Sequence, residues 1–114
     1  MAGRLTTHAL DTVAGRGAAG LTVRLERLTP GRERMTTMRL DENGRAVLLD
    51  GALVPGVYEL EFAVGEYHRA RGIALAEPAF FDAVVVRFGV ADGEAHYHVP
   101  LVFSPHSYST YRGT

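Results

Sequence analysis

Apolar and polar residues alternate with a period of two along most of the chain, the spacing of strands whose side chains point to opposite faces. Residues 21–28 read Leu-Thr-Val-Arg-Leu-Glu-Arg-Leu, which puts Leu21, Val23 and Leu25 inward and Thr22, Arg24 and Glu26 outward. Residues 4–10 form a strand with Thr6, His8 and Leu10 on one face, and residues 33–39 form another. Residues 57–64 place Tyr58, Leu60, Phe62 and Val64 on one side and Glu59 and Glu61 on the other, as ordinary outward charges. An apolar strand over 83–90 is expected to be buried on much of both faces. The longest strand, 94–103, sets Ala95, Tyr97, Val99, Leu101 and Phe103 against His96, His98, Pro100 and Val102. A last strand runs over 106–112. The one helix expected is short, over 74–81, and is interrupted by Pro78.

Turn signals separate these segments. Thr29-Pro30-Gly31, Pro55-Gly56, Ala91-Asp92-Gly93 and Ser104-Pro105 break the alternation, and Asp41-Glu42-Asn43-Gly44 is the strongest turn because Asn-Gly tolerates positive φ. Arg45 follows it directly. Seven or eight short strands with one short helix predict an all-β fold, an antiparallel β-sandwich. The 114 residues suffice for one domain, 1–114, with no repeat and no low-complexity tract; 14–20 is a Gly/Ala-rich loop.

Composition narrows the partners. A formal net charge of -1 gives no electrostatic case for nucleic acid or an anionic membrane. All twelve basic residues are Arg, so an Arg is not informative merely for being one. The absence of Cys removes disulfides, thiol nucleophiles and cysteine metal sites. The first residues lack a secretory apolar core, no apolar run approaches the ~18 residues of a membrane span, and the last residues match no lipidation or peroxisomal signal. A cytoplasmic protein is expected.

Candidate chemistry therefore rests on the histidines. His96 and His98 are two apart on one strand and share a face; a third imidazole, His8, would complete a zinc set, while solvated or acid–base imidazoles are the other readings. Neutral imidazole near pH 6.5 can take a proton from water and return it, provided a cation or amide donors face the developing oxyanion. Arg45, with its planar two-donor fork, is a candidate for that role. His68, in a polar stretch, is expected at the surface with no role. Ser104, Ser107 and Ser109 lack a nucleophile elbow.

Three separated stretches resemble the 5-hydroxyisourate hydrolase family, the enzymatic branch of the transthyretin-like proteins. They are Thr7-His8-Ala9-Leu10-Asp11-Thr12, similar to a family H-V-L-D-T start; Asn43-Gly44-Arg45, similar to its N/D-G-R; and the long ending His96-Tyr97-His98-Val99-Pro100-Leu101, Ser104-Pro105, then Ser107 to Thr114, similar to a family ending in Y-S-T-Y-R-G-S. Glu77 to Phe81 also resembles the family's short E-x-x-F-F helix. The chain departs from the family at Thr114 for Ser, His106 for Tyr and Ala9 for Val.

The resemblance implies a transthyretin-like sandwich of two four-stranded antiparallel sheets, assembled as a homotetramer, a dimer of dimers, with sites in a channel between dimers. It implies lactam ring opening of a small-molecule substrate, 5-hydroxyisourate, with no cofactor and no metal. His8, Arg45 and His98 would be catalytic, and His8, Arg45, Tyr111, Arg112, Gly113 and Thr114 would bind substrate. One of His8 and His98 would act as base and the other would hold water or return the proton; Gly113 would let the backbone come close to substrate. The competing readings are a non-catalytic carrier of a hydrophobic ligand and a zinc hydrolase built on His8, His96 and His98.

Overall fold

The computed structural model describes residues 3–114. Its strands are β1 (Arg4–Asp11), β2 (Arg16–Gly17), β3 (Thr22–Arg27), β4 (Glu33–Arg39), β5 (Arg45–Asp50), β6 (Gly56–Phe62), β7 (Val84–Val90), β8 (His96–Ser104) and β9 (Ser107–Thr110), with one helix, α1 (Val64–Ala70), between β6 and β7. One sheet has the order β4-β3-β6-β7. In the other, β5 and the two-residue β2 share one edge of β1, β8 lies along the other edge, and β9 closes on β8.

The sandwich agrees with the periodicity. Leu5, Thr7, Ala9 and Asp11 of β1, Val23 and Leu25 of β3, Tyr58, Leu60 and Phe62 of β6, and Tyr97, Val99, Leu101 and Phe103 of β8 are all buried between the sheets. Burial at about 25 cal/mol per Å² of apolar surface is the driving force, and the alternation allows both sheets to contribute to one core. On the outer face of the β4-β3-β6-β7 sheet, Glu59 and Glu61 pair across strands with Arg87 at 2.6 Å and Arg24 at 3.2 Å. Such exposed pairs add at most about 1 kcal/mol each.

Several expectations are corrected. β1 and β8 run parallel, with Thr6 opposite His98 and His8 opposite Pro100, so the sheet that contains them is mixed rather than wholly antiparallel. Residues 45–50 form a strand that the pattern did not reveal. A register shift between Leu5 and Thr6 adds a residue on β5, which turns Leu48 inward while Val47 and Arg45 stay outward. β7 is buried at Val84 and Val90 but exposed at Val85, which lies opposite the outward Glu61 on the solvent face of its sheet.

The helix lies at 64–70, not at 74–81. Val64, Tyr67 and His68 share one face by i, i+3, i+4 spacing and enter the core. Gly72, at φ +81°, terminates it with bonds from Gly72 N–H to Arg69 O (3.0 Å) and from Ile73 N–H to His68 O (3.0 Å). Residues 74–81 contain no helix, as Pro78 foreshadowed. His68 is therefore buried, at 1% exposure, rather than on the surface. Among the described residues no helix is long and apolar enough to cross a membrane.

Candidate active site

The inward residues of β1 alternate with Thr6 and His8 on the outer face, and those of β8 alternate with His96 and His98 on the same face. The parallel β1–β8 register then sets these four side chains side by side. Antiparallel pairing of β1 with β5 places Arg45 directly opposite His8.

The Asp41–Arg45 turn fixes Arg45. The Asp41 carboxylate accepts from Asn43 N–H at 2.8 Å and Arg45 N–H at 2.9 Å through one oxygen, Oδ1. Those two donors hold its pKa below the usual carboxylate value. Gly44 takes φ +77°, and a Cβ there would meet Ala18 N and Ala9 O at 2.6 Å, so both conformation and space require glycine. With the turn fixed, the Asn43 carbonyl accepts from the Nε2–H of His8 at 3.1 Å. A carbonyl only accepts, so neutral His8 keeps its proton on Nε2 and its lone pair on Nδ1.

Burial, and then the charge of Arg45, lower the His8 pKa from 6.5. His98 is lowered in the same direction, first by burial and then by His8, His96 and Arg45. Both rings are therefore neutral at neutral pH and able to accept a proton.

His98 is held by two hydrogen bonds and by close packing against Gly113. Its Nδ1 lies 2.8 Å from the Thr6 hydroxyl. Its carbonyl accepts from Gly113 N–H at 2.8 Å, in an isolated bridge between the two residues. A Cβ on residue 113 would sit 2.4 Å from His98 Cδ2, so the missing side chain makes room for the imidazole. The final segment is thus a strap across β8.

A groove of about 330 Å³ collects Thr6, Asp41, Arg45, His96, His98 and Thr114. Arg45 makes no ion pair among the described residues, which leaves its guanidinium facing the groove. Tyr111 and Arg112 lie on the other side of the strap, lining a separate cavity of about 210 Å³ with residues of β7 and β8. There the Arg112 guanidinium stacks over Tyr97 at 4.3 Å and donates to His96 O at 3.3 Å. Within one chain, then, Thr114, Arg45 and His98 share a groove, His8 flanks it, Arg112 ties the strap to Tyr97 and His96, and Tyr111 is exposed beside the second cavity.

His96 and His98 do not converge as metal ligands, because their facing nitrogens both meet the Thr6 hydroxyl, with His96 Nε2 at 2.9 Å. No group of three His, Asp or Glu residues among those described is arranged to hold a metal ion. A larger groove of about 690 Å³ lies beside α1, lined by Arg16, Arg39, Glu66 and Arg71, but it contains none of the imidazoles. Size alone does not locate the chemistry. Sequence reasoning gave no role to Thr6, Asp41 or the Asn43 carbonyl. The only available signal was the place of Thr6 on the His8 face.

Fold and site together define a β-sandwich protein equipped for proton transfer and oxyanion stabilisation on one outer sheet face. The chain belongs to the HIUase/transthyretin family, whose model matches residues 5–113. The 5-hydroxyisourate hydrolase of Ralstonia nicotianae is 55% identical over 98% of this chain and 99% of its own length. Among solved structures, Klebsiella pneumoniae 5-hydroxyisourate hydrolase matches with a TM-score of 0.83 and 31% identity, over 98% of this chain and 99% of that one. Sea bream transthyretin, solved in complex with thyroxine, matches with a TM-score of 0.84 and 26% identity, over 96% of this chain and 94% of that one.

Proposed function

We propose that this protein hydrolyses 5-hydroxyisourate, opening its lactam ring to 2-oxo-4-hydroxy-4-carboxy-5-ureidoimidazoline without a cofactor. The observation that carries the reading is the groove itself, where a guanidinium and a neutral imidazole face the same space beside a second imidazole, the guanidinium without an ion pair and that imidazole's Nδ1 without a hydrogen bond among the described residues. Water gives a proton to one of these rings as its oxygen bonds to the lactam carbonyl. The carbonyl oxygen becomes an oxyanion that Arg45 stabilises. Collapse breaks the carbon–nitrogen bond, and the imidazolium returns the proton to the departing ring nitrogen.

His8 and His98 are assigned the base and proton-donor roles, and Arg45 the oxyanion and purine-carbonyl contacts. Thr114 offers a hydroxyl from the groove wall, and Gly113 keeps His98 in place. The lining of Asp41, Arg45, His96 and His98 suits a polar heterocycle better than the hydrophobic ligand of a carrier. The test is the spectroscopic decay of freshly made 5-hydroxyisourate. Acceleration is expected, with His8→Ala, His98→Ala and Arg45→Ala each lowering kcat about 100-fold or more. Unaccelerated decay with tight binding of an aromatic ligand would reverse the reading in favour of a carrier.

We also infer a dimer of dimers acting in the cytoplasm as one domain per chain. The groove opens on an outer sheet face flanked by exposed Leu10 and Val47, and β7 and β9 are edge strands with unpaired backbone, which together invite association. A facing copy would wall the groove and bring further residues to it.

A further inference from the structure

We propose that Thr6 is a positioning residue whose hydroxyl couples the tautomer of His98 to that of His96 and leaves His98 Nε2 free to take the proton. The inference rests on the hydrolase reading for its catalytic consequence, but its geometry does not.

The Thr6 Oγ lies 2.8 Å from His98 Nδ1 and 2.9 Å from His96 Nε2, both within hydrogen-bond distance. A hydroxyl carries one proton, so it donates in no more than one of these bonds, and the two rings cannot both accept from it. His98 Nε2 makes no hydrogen bond among the described residues. If His98 carries its proton on Nδ1, it donates to Thr6, whose own hydrogen is then available to His96 Nε2, and His98 Nε2 is a lone pair. Protonation of Nε2 then changes none of these bonds, so the imidazolium forms without reorganising its support. In the opposite direction His96 donates, Thr6 donates to His98 Nδ1, and Nε2 already bears a hydrogen and is useless as a base.

The hydrolase reading selects the first direction, since only with the proton on Nδ1 does neutral His98 keep a lone pair on Nε2. The coupling is built into the sheet. The parallel register sets Thr6 opposite His98 and Arg4 opposite His96, so residue 6 falls between two imidazoles spaced two apart on β8. The arrangement does for His98 what a carboxylate does for a catalytic imidazole elsewhere, but without adding a charge to a groove whose substrate carries carbonyl oxygens.

The test combines kinetics with nitrogen-15 NMR of the histidine rings in the intact protein. In the wild type at a pH where His98 is neutral, its Nδ1 should carry the proton. Thr6→Val keeps the β-branched shape suited to a strand but removes the hydroxyl; it should release the tautomer toward Nε2–H. It should also lower kcat roughly 10- to 100-fold, the scale seen when a partner orienting a functional histidine is lost, with KM changed less than about twofold. Thr6→Ser should restore both tautomer and kcat. A wild-type His98 protonated on Nε2, or a folded Thr6→Val with unchanged tautomer and kcat, would overturn the inference. Should Thr6→Val not fold, the wild-type tautomer decides alone. A protein that shows the tautomer but no hydrolysis would sink the hydrolase reading and leave the coupling standing.

Discussion

At Gly113 there is no space for even one carbon, because its Cβ would press on the His98 ring at 2.4 Å. Gly113→Ala should therefore displace the imidazole or lift the strap, lowering kcat about 10-fold or more while the sandwich stays folded; circular dichroism beside the decay assay checks both. The lowered pKa values of His8 and His98 carry a second expectation. Both rings take up their protons at lower pH than an ordinary imidazole, so the acid limb of kcat/KM should fall at lower pH than an ordinary imidazole would impose. Because His8, His96 and His98 interact, the apparent pKa of that acid limb belongs to the cluster. A limb at or above 6.5 would contradict the neutral-imidazole base. Residue identity was legible in the sequence for His8, Arg45 and His98. The role of Thr6 was not, since a lone threonine on a strand face has no pattern to mark it.

At the scale of elements, α1 is fastened to β1 by a buried polar contact. The Tyr67 hydroxyl donates to Asp11 Oδ2 at 2.8 Å, while Asp11 Oδ1 accepts from Val13 N–H at 2.9 Å and Ala14 N–H at 3.1 Å. Burial and this bond push the Tyr67 pKa up to about 12. Tyr67→Phe would leave a buried carboxylate oxygen without its donor and should cost about 1.5–3 kcal/mol, read from denaturant unfolding. His68, one residue on, packs against Phe103 with both ring nitrogens buried and unpartnered among the described residues. Burial lowers its pKa, so below about pH 6.5 the unfolded chain binds a proton that the folded one refuses. Its contribution to stability is thus lost as pH falls from about 6.5 through the lowered folded value, and is constant above. His68→Phe should raise stability by about 1 kcal/mol at pH 7 and flatten its decline toward pH 5, measured by melting across pH. The strands of this sandwich could be read from alternation because each buries one face. The helix could not, because its seven residues are too few for a clear 3.6 period, and its burial depends on the end of the sandwich that it caps.

For the whole molecule, the groove on the outer face of the β5-β1-β8-β9 sheet is open in the single chain, so assembly decides whether it becomes an enclosed site. Mass measurement in solution should give four copies. Replacing the exposed Val47 by Arg beside the groove should weaken the dimer–dimer contact and lower activity together, with each chain still folded. A fully active monomer would remove the shared-site reading.

The sequence by itself determined the local features: alternation written into adjacent residues, a turn set by Asp41, Asn43 and Gly44, and the residue types needed for proton transfer. The tertiary structure alone decided that β1 lies parallel to β8, that Thr6 meets His98 across 92 positions of chain, and that His68 is buried. The physical reason is range. Backbone conformation and strand period follow from neighbouring side chains. Register between distant strands, and with it the company each imidazole keeps, is settled only when both sheets bury their inner faces together.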